Sequence, residues 1–273
     1  MRFGISKKGQ YIIMKKIISF ILALSLLAVC AVSFASCSKD NENVLKMATN
    51  AAFPPYEFYE GEKIVGIDAE IAELIAKDLG MTLQIVDTEF DSIITGVTEG
   101  KYDFGMAGMT VTEDRLKSVN FSTSYAKGVQ VIIVKNDSPI TSIDDLSADG
   151  ATYKIGVQQG TTGDIYASDT PENGGFGEDR VTSYNTGAEA VLALTTGKVD
   201  CVIIDNEPAK SYVKTYEGLK ILDTEYVEED YAICVSKSNE DLLKKINDSL
   251  KKNTENGEIQ KIIDKYIKAD SAK

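Results

Sequence analysis

Residues 105–121 read Gly105-Met-Ala-Gly-Met-Thr-Val-Thr-Glu-Asp-Arg115-Leu-Lys-Ser-Val-Asn-Phe121. The pattern predicts the end of a strand and then a helix capped by Thr112, with Glu113 and Asp114 in its first turn. Arg115 falls at the third helical position, where a cation opposes the helix dipole. A cationic side chain beside a positive helix end indicates an anion site. The alternative is that Arg115 folds back onto Glu113, Asp114 or solvent.

Strand and helix patterns alternate on both sides of this stretch, and the alternation restarts after an apolar run at 128–134. The predicted strands are Val44–Ala48, Ile64–Gly66, Thr82–Val86, Tyr102–Ala107, Gly128–Val134, Lys154–Val157, Val181–Tyr184, Cys201–Ile204, Lys220–Asp223 and Tyr231–Val235. The predicted helices begin at Asp68 and Phe90, follow Thr112 and Gly163, and cover Ser142–Leu146, Ala188–Thr195, Pro208–Tyr216, Glu240–Glu255 and Glu258–Ile267. Thr49–Phe58 is expected to be a loop. This order predicts an α/β protein with two mostly parallel sheets and a ligand cleft beyond the strand ends.

The first 36 residues have the pattern of a secretory signal peptide. Lys15 and Lys16 precede the apolar run Ile17–Val29, which is short of the roughly 20 residues of a membrane span. Small residues precede Cys37, as in a bacterial lipobox, although Phe34 stands where Leu is usual. We expect Cys37 to be lipidated and followed by a polar tether over 37–43. Cleavage after Ala35, which leaves a soluble protein, is the alternative.

Composition argues against several functions. The net charge of −13 becomes −18 without the signal peptide, which holds five basic residues and no acid, so nucleic acid is not an expected partner. With no His and no Cys cluster, a metal site is not expected. Cys201 and Cys234 lie in apolar strands, where two buried thiols are preferred over a disulfide. Gly160–Gly163 lacks the Lys of a phosphate-binding loop, so no nucleotide or other cofactor is expected.

Arg115 and Asp205 carry opposite charges in equivalent positions of the two halves. An α-amino acid has a carboxylate and an ammonium group on one carbon, so Arg115 can pair with the first group and Asp205 with the second. The alternative for Asp205 is a cap on the helix that follows it. Thr110 and Thr161 can complete the carboxylate site.

Three aromatic residues are candidates for contact with the ligand's side chain. Phe53 and Phe90 are expected to grip it, with core packing as the alternative. For Tyr56, core packing is the preferred interpretation.

Several motifs occur together in one order. They are Ala48-Thr-Asn-Ala-Ala-Phe-Pro-Pro-Tyr-Glu-Phe58, Gly66-Ile-Asp-Ala-Glu-Ile-Ala72, Asp103–Arg115, Val119-Asn-Phe-Ser122, Gly156-Val-Gln-Gln-Gly-Thr-Thr162 and the strand that ends at Asp205. This set resembles the polar amino-acid members of the bacterial extracellular solute-binding proteins, family 3.

The resemblance implies a type II periplasmic-binding-protein fold, with two lobes joined by a two-strand hinge. Lobe 1 is expected at 44–127 plus 231–273 and lobe 2 at 128–230. It also implies a monomer that captures a free polar L-amino acid and delivers it to an ABC permease at the extracellular face of the membrane. The other hypotheses are an exported dehydratase-like enzyme, which the missing His argues against, and a ligand sensor without transport.

The resemblance also implies a set of ligand-binding residues. Arg115 matches the carboxylate-binding arginine, Asp205 the ammonium-binding acid, and Gly108, Thr110 and Thr161 the carboxylate-contacting positions. Phe53 and Phe90 match the side-chain clamp. Asn50 stands where binders of basic amino acids often carry Asp, and this difference slightly favours an uncharged polar ligand. Glu57 or Glu89 can still supply a negative charge from another direction.

Overall fold

The computed structural model describes residues 43–223 and 227–267, and within these ranges the strands form three sheets. The predicted signal peptide, Cys37 and the tether up to residue 42 lie outside these ranges. The strands are β1 Val44–Thr49, β2 Ala52–Phe53, β3 Glu57–Glu60, β4 Lys63–Val65, β5 Thr82–Asp87, β6 Phe104–Gly105, β7 Val119–Phe121, β8 Ala126–Lys135, β9 Ile155–Gln158, β10 Val181–Tyr184, β11 Cys201–Asp205, β12 Leu219–Ile221, β13 Glu228–Tyr231 and β14 Cys234–Ser236.

Helices separate most of these strands, in the order that the sequence predicts. They are α1 Ile67–Asp78, α2 Ile93–Thr98, α3 Glu113–Ser118, α4 Asp144–Ser147, α5 Thr162–Ser168, α6 Gly187–Thr195, α7 Asn206–Thr215, α8 Glu240–Glu255 and α9 Glu258–Tyr266. Gly80, just past α1, has a φ of 68°, which suits a glycine at a helix end. None of the helices in the described residues has the length and apolarity that a membrane span requires.

The first two sheets are related in topology. Sheet 1 has the order β5-β1-β6-β14-β7, with β5 and β6 parallel to β1 and β14 antiparallel to its neighbours. Sheet 2 has the order β10-β9-β11-β8-β12, and β13 also pairs with β8. The third sheet is the small antiparallel set β2-β3-β4. The prediction of mostly parallel sheets was wrong, because β8 and β14 run antiparallel to all their neighbours and make both sheets mixed. The mixed α/β architecture agrees with the type II periplasmic-binding-protein fold.

Two chain segments connect sheet 1 with sheet 2, and they pair with each other. The chain leaves sheet 1 after β7 and enters β8, and it returns through β13 to β14. The antiparallel register of β8 and β13 joins Ala126 to Tyr231 and Gly128 to Glu229. These two connections lie directly next to the site described below.

Two local predictions were wrong. Tyr231–Val235 was expected to be one strand, but it divides because Tyr231 pairs with β8 whereas Cys234 pairs with β6 and β7. Thr49–Phe58 was expected to be a loop, but Ala52–Phe53 pairs with Glu57–Phe58 in a short hairpin. Both errors arise because strand pairing is decided by distant partners.

The apolar positions form the core as predicted. Tyr56 is 1% exposed and belongs to the main apolar cluster, which supports its interpretation as a core residue. Cys201 and Cys234 are buried free thiols, as preferred from the sequence. Burial raises the pKa of each thiol to about 12, so both stay protonated at neutral pH.

Candidate functional site

One cavity is lined by all eight residues that the sequence nominated for ligand binding. It lies between strand ends of sheet 1 and strand ends of sheet 2, and it encloses about 10 Å³ of free space. The lining residues are Asn50, Phe53, Glu57, Phe90, Ala107, Gly108, Thr110, Arg115, Gln158, Thr161, Thr162 and Asp205. Their roles in binding stay predictions.

Arg115 reaches this cavity from the first turn of α3. Thr112 caps the helix by accepting a hydrogen bond from the Arg115 N–H at 3.2 Å, as the sequence predicts. The guanidinium donates from Nη1 to the Thr110 carbonyl at 2.7 Å and from Nη2 to the Gly160 carbonyl at 2.9 Å. Since Gly160 follows β9 of sheet 2, the second bond joins the two sides of the cavity.

The alternative for Arg115, an exposed pairing with its acidic neighbours, is not what the structure has. Asp114 pairs with Lys117 instead, and Arg115 is only 8% exposed. Its guanidinium lies over the ring of Phe90, 5.3 Å from the centroid. Burial lowers the pKa of Arg115, while Glu229 and Asp205 oppose that shift by stabilising its charge. Among the described residues, no carboxylate forms an ion pair with it at contact distance.

Asp205 reaches the cavity from the opposite side, at the end of β11. It occupies the cap position of α7, but its side chain makes no capping hydrogen bond, so the capping alternative is not observed. Its Oδ1 instead accepts from the hydroxyl of Tyr231, which is fully buried. Burial, helped by the charge of Glu229, raises the pKa of the Asp205 carboxyl to about 7.

Gly108 lets the backbone pass close to the aromatic wall of the cavity. Its φ is 53°, and a Cβ atom there would lie 2.8 Å from Cε1 of Phe53. Its N–H donates to Oδ2 of Asp68 at 2.8 Å, and the Tyr125 hydroxyl donates to the same oxygen at 2.8 Å. Burial raises the pKa of Asp68 to about 6 despite these two hydrogen bonds.

Glu57 is the lining residue that bears most directly on ligand chemistry, and the sequence named it only as a possible second source of charge. It is 1% exposed, and when ionised neither carboxylate oxygen has a hydrogen-bond partner among the described residues. Burial and the charge of nearby Asp68 raise the pKa of Glu57 well above its ordinary value. When protonated, Glu57 can share its proton with Asp68. Glu89, the other candidate, is exposed and is not part of the lining.

The amides and hydroxyls around the cavity make specific contacts. Gln158, which the sequence did not nominate, donates from Nε2 to Oδ1 of Asn50 at 2.9 Å, and Asn50 donates to the Thr88 carbonyl at 2.9 Å. Thr161 caps α5 and donates its hydroxyl proton to the Gln158 carbonyl at 2.7 Å. Gln158 lies within a quoted motif, but nothing in the local pattern says which way its side chain points.

The buried charges of the described residues are unbalanced. Arg115 is the single buried cation among them, whereas the buried acids are Glu57, Asp68, Asp205 and Glu229. Because an unpaired buried charge is costly, the pKa values of Glu57, Asp68 and Asp205 are raised, and a bound species that brings positive charge would favour the ionised forms of these acids.

Comparisons with known proteins agree with this architecture. A family model described as "Bacterial extracellular solute-binding proteins, family 3" matches residues 45–269. The chain is 34% identical over 256 residues to the arginine-binding extracellular protein ArtP of Bacillus subtilis strain 168, covering 89% of this chain and 97% of the relative.

Solved structures give the same result. An ancestral arginine-binding protein bound to arginine superposes with a TM-score of 0.75 and 38% identity, covering 83% of this chain and 99% of that structure. An ancestral arginine-binding protein bound to glutamine superposes with a TM-score of 0.75 and 36% identity, covering 83% and 98%. The likeness therefore extends over nearly the full length of these proteins.

Proposed function

Because the chain belongs to the bacterial extracellular solute-binding proteins of family 3, we propose that it captures an L-amino acid with a cationic side chain and delivers it to an ABC importer. The relatives described above are named as arginine-binding proteins, which supports this class of ligand. The observation that carries the proposal is Glu57, a buried carboxyl group in the same cavity as Arg115 and Asp205, whose side-chain partner is another acid, Asp68.

The two ends of the amino acid match the two sides of the cavity. The Arg115 guanidinium now donates to neutral carbonyl oxygens, and a carboxylate is a stronger acceptor for the same N–H groups. Asp205 offers a buried carboxylate to the ammonium group. An ammonium group in that position favours the ionised form of Asp205 and so lowers its pKa from about 7.

Glu57 is the residue that we propose to read the ligand's side chain. Asn50 alone leans toward an uncharged ligand, but its amide is already hydrogen-bonded to Thr88 and Gln158. A guanidinium or ammonium group near Glu57 can displace the proton that its raised pKa retains. Phe53 and Phe90 then enclose the aliphatic part of the side chain.

Binding requires the two halves to separate and close again. About 10 Å³ of free space does not hold an amino acid, so the ligand enters only when the sheets move apart. We propose that 44–127 plus 231–273 move as one lobe and 128–230 as the other, with β8 and β13 as the hinge. Limited proteolysis or small-angle scattering with and without ligand measures this closure.

We further propose that the protein acts as a monomer held at the extracellular face of the membrane through Cys37. Acyl chains on the mature N-terminus would keep the site close to the permease. Mass spectrometry of protein purified from its host identifies such a modification. An unmodified N-terminus contradicts this part of the proposal.

Replacing Glu57 by Gln tests the ligand class. L-citrulline has nearly the shape of L-arginine but no charge on its side chain, so the two ligands separate charge from fit. We expect Glu57→Gln to weaken the binding of L-arginine by ~2–3 kcal/mol, about 30-fold to 150-fold, because the charge of the ligand's guanidinium group is then buried without a partner. The binding of L-citrulline should weaken far less. Titration calorimetry measures both affinities.

The competing candidate is an uncharged polar amino acid such as glutamine. The raised pKa of Glu57 favours it, since a protonated carboxyl can hydrogen-bond an amide. The glutamine-bound ancestral relative shows that a similar fold accepts such a ligand. Binding of L-glutamine or L-citrulline as tight as that of L-arginine would support this candidate and overturn the cationic one.

A further inference from the structure

Glu229 is a buried acid near the cavity that has no role in the binding scheme above. It lies on β13, in the second connection between the sheets, and is 5% exposed. Its neighbours Glu228 and Asp230 are exposed, so the alternation of the strand turns only the middle acid inward. Glu229 is not part of the cavity lining and so does not itself contact a ligand there.

A single oxygen of Glu229 joins the two halves of the molecule. Its Oε2 accepts from the Thr110 hydroxyl at 3.0 Å and from Nε2 of Gln130 at 3.0 Å. Thr110 follows β6 of sheet 1, whereas Gln130 lies on β8 of sheet 2, directly opposite Asp205 in the strand register. The other oxygen, Oε1, is buried and has no hydrogen-bond donor among the described residues.

The hydrogen bond to Glu229 determines whether the Thr110 hydroxyl can donate to a ligand or only accept from it. A hydroxyl has one proton to donate and two lone pairs that accept. Since the proton of Thr110 points to Glu229, the oxygen can present only lone pairs to the cavity. It can therefore accept from an ammonium group, but it cannot donate to a carboxylate while this bond is intact.

We infer that Glu229 is a positioning residue for the ammonium end of the ligand. It holds the Thr110 hydroxyl as an acceptor and places a second negative charge near Asp205. This inference rests on the proposed binding of an α-amino acid, and it moves the Thr110 hydroxyl from the carboxylate site, where the sequence put it, to the ammonium site. The unpaired Oε1 fits the same role, because a nearby cation offsets the cost of its burial.

Three ligands separate this role from a structural one. L-arginine has both groups on its α-carbon, agmatine keeps the amine without the carboxylate, and 5-guanidinopentanoate keeps the carboxylate without the amine. We expect Glu229→Gln to weaken the binding of L-arginine and of agmatine about tenfold or more. The binding of 5-guanidinopentanoate should weaken less than about threefold. Calorimetry, with competition titrations for the weak ligands, gives the three ratios.

The controls are available in the same chain. Glu228→Gln removes the same charge from the exposed neighbouring position and should leave all three affinities unchanged. If Glu229→Gln does not fold, Thr110→Val removes the proposed acceptor from the other end of the contact. It should show the same selective loss for the two amines.

The outcomes distinguish the inference from the proposed function. Equal weakening of all three ligands in both variants means that Glu229 only holds β13 in place, which overturns the inference and leaves the proposed function intact. A wild-type protein that binds no amino acid overturns both. Selective loss of the amine-bearing ligands supports both.

Discussion

Two concave regions of the molecule differ in size and in how their charges are satisfied. The surface groove between α1 and α8 has a volume of about 620 Å³, and both of its lysines pair with carboxylates of the same groove, Lys252 with Asp78 and Lys245 with Asp241. The cavity with Arg115 has a volume of about 10 Å³, but it holds Glu57, whose side-chain partner is not a cation but another acid, Asp68. Free volume at a surface costs little, whereas an unpaired buried charge costs several kcal/mol. We therefore propose the smaller region, and not the groove, as the ligand site.

Replacing one cationic residue in each region should give the largest difference in ligand affinity. Arg115→Ala should weaken amino-acid binding by ~3–5 kcal/mol, since it removes the buried partner of the ligand's carboxylate. Lys245→Ala, in the groove, should leave the affinity unchanged. Calorimetry with L-arginine measures both, and an Arg115→Ala protein that binds as tightly as wild type would show that the cavity is not the site.

The second expected effect is a dependence of affinity on pH. In the free protein the pKa of Asp205 is about 7, and the ammonium group of the ligand lowers it. Protons therefore leave Asp205 when the ligand binds, so the affinity should rise as pH increases through about 7. We expect L-arginine to bind about tenfold tighter at pH 8 than at pH 5.5.

Buffers with different ionisation enthalpies provide the check on this proton release. The apparent binding enthalpy below pH 7 should change with the buffer. An affinity that is constant, or that falls as pH rises, would contradict the assignment of Asp205 to the ammonium group.

The third expected effect is on the stability of the free protein. Asp205 and Asp68 have pKa values of about 7 and about 6 in the folded state, raised from 3.8, and the pKa of Glu57 is also raised. The folded state thus binds more protons than the unfolded state between about pH 4 and pH 7, so stability should fall as pH rises through this window. The loss should be on the order of several kcal/mol, since each pKa unit corresponds to about 1.4 kcal/mol.

Thermal unfolding with and without ligand measures this effect. The free protein should melt at a lower temperature at pH 8 than at pH 5, and saturating L-arginine should reduce or reverse the difference. A free protein that gains stability across this window would mean that the cavity acids are not buried in solution.

The sequence predicted the parts of this site that local patterns control. Thr112 was identified as the cap from the residue types that follow it, and this placed Arg115 in the first turn of α3. Asp205 was identified because it follows an apolar strand and precedes a helix. Strand ends and caps depend on a few adjacent residues, so spacing alone locates them.

The parts that were missed depend on distant partners. Glu57 lies on a short strand whose inward side is set by pairing with Ala52–Phe53 and Lys63–Val65, and the sequence predicted neither pairing. Glu229 is one of three consecutive acids, and only its pairing with Gly128 shows that it points inward. Side chains alternate between the two faces of a strand, so a register error of one residue exchanges the buried and exposed acids.

The smallest expected effect lies in the groove. Lys252→Ala removes a partner of Asp78, which also accepts hydrogen bonds from Ser249 and Asn253, each at 2.8 Å. Because the Lys252 side chain is 62% exposed, the pair should contribute less than about 0.5 kcal/mol to stability and nothing to ligand affinity. Denaturant unfolding and calorimetry measure the two quantities. A loss of affinity comparable with that of Arg115→Ala would reverse the comparison between the groove and the cavity.

A crystal structure of the protein with L-arginine would show where the ligand binds and which groups it contacts. We expect one ligand between the sheets, with its carboxylate on Arg115, its ammonium group on Asp205 and its guanidinium group within hydrogen-bond distance of Glu57. A ligand seated in the groove between α1 and α8, or one whose guanidinium group points away from Glu57, would contradict it.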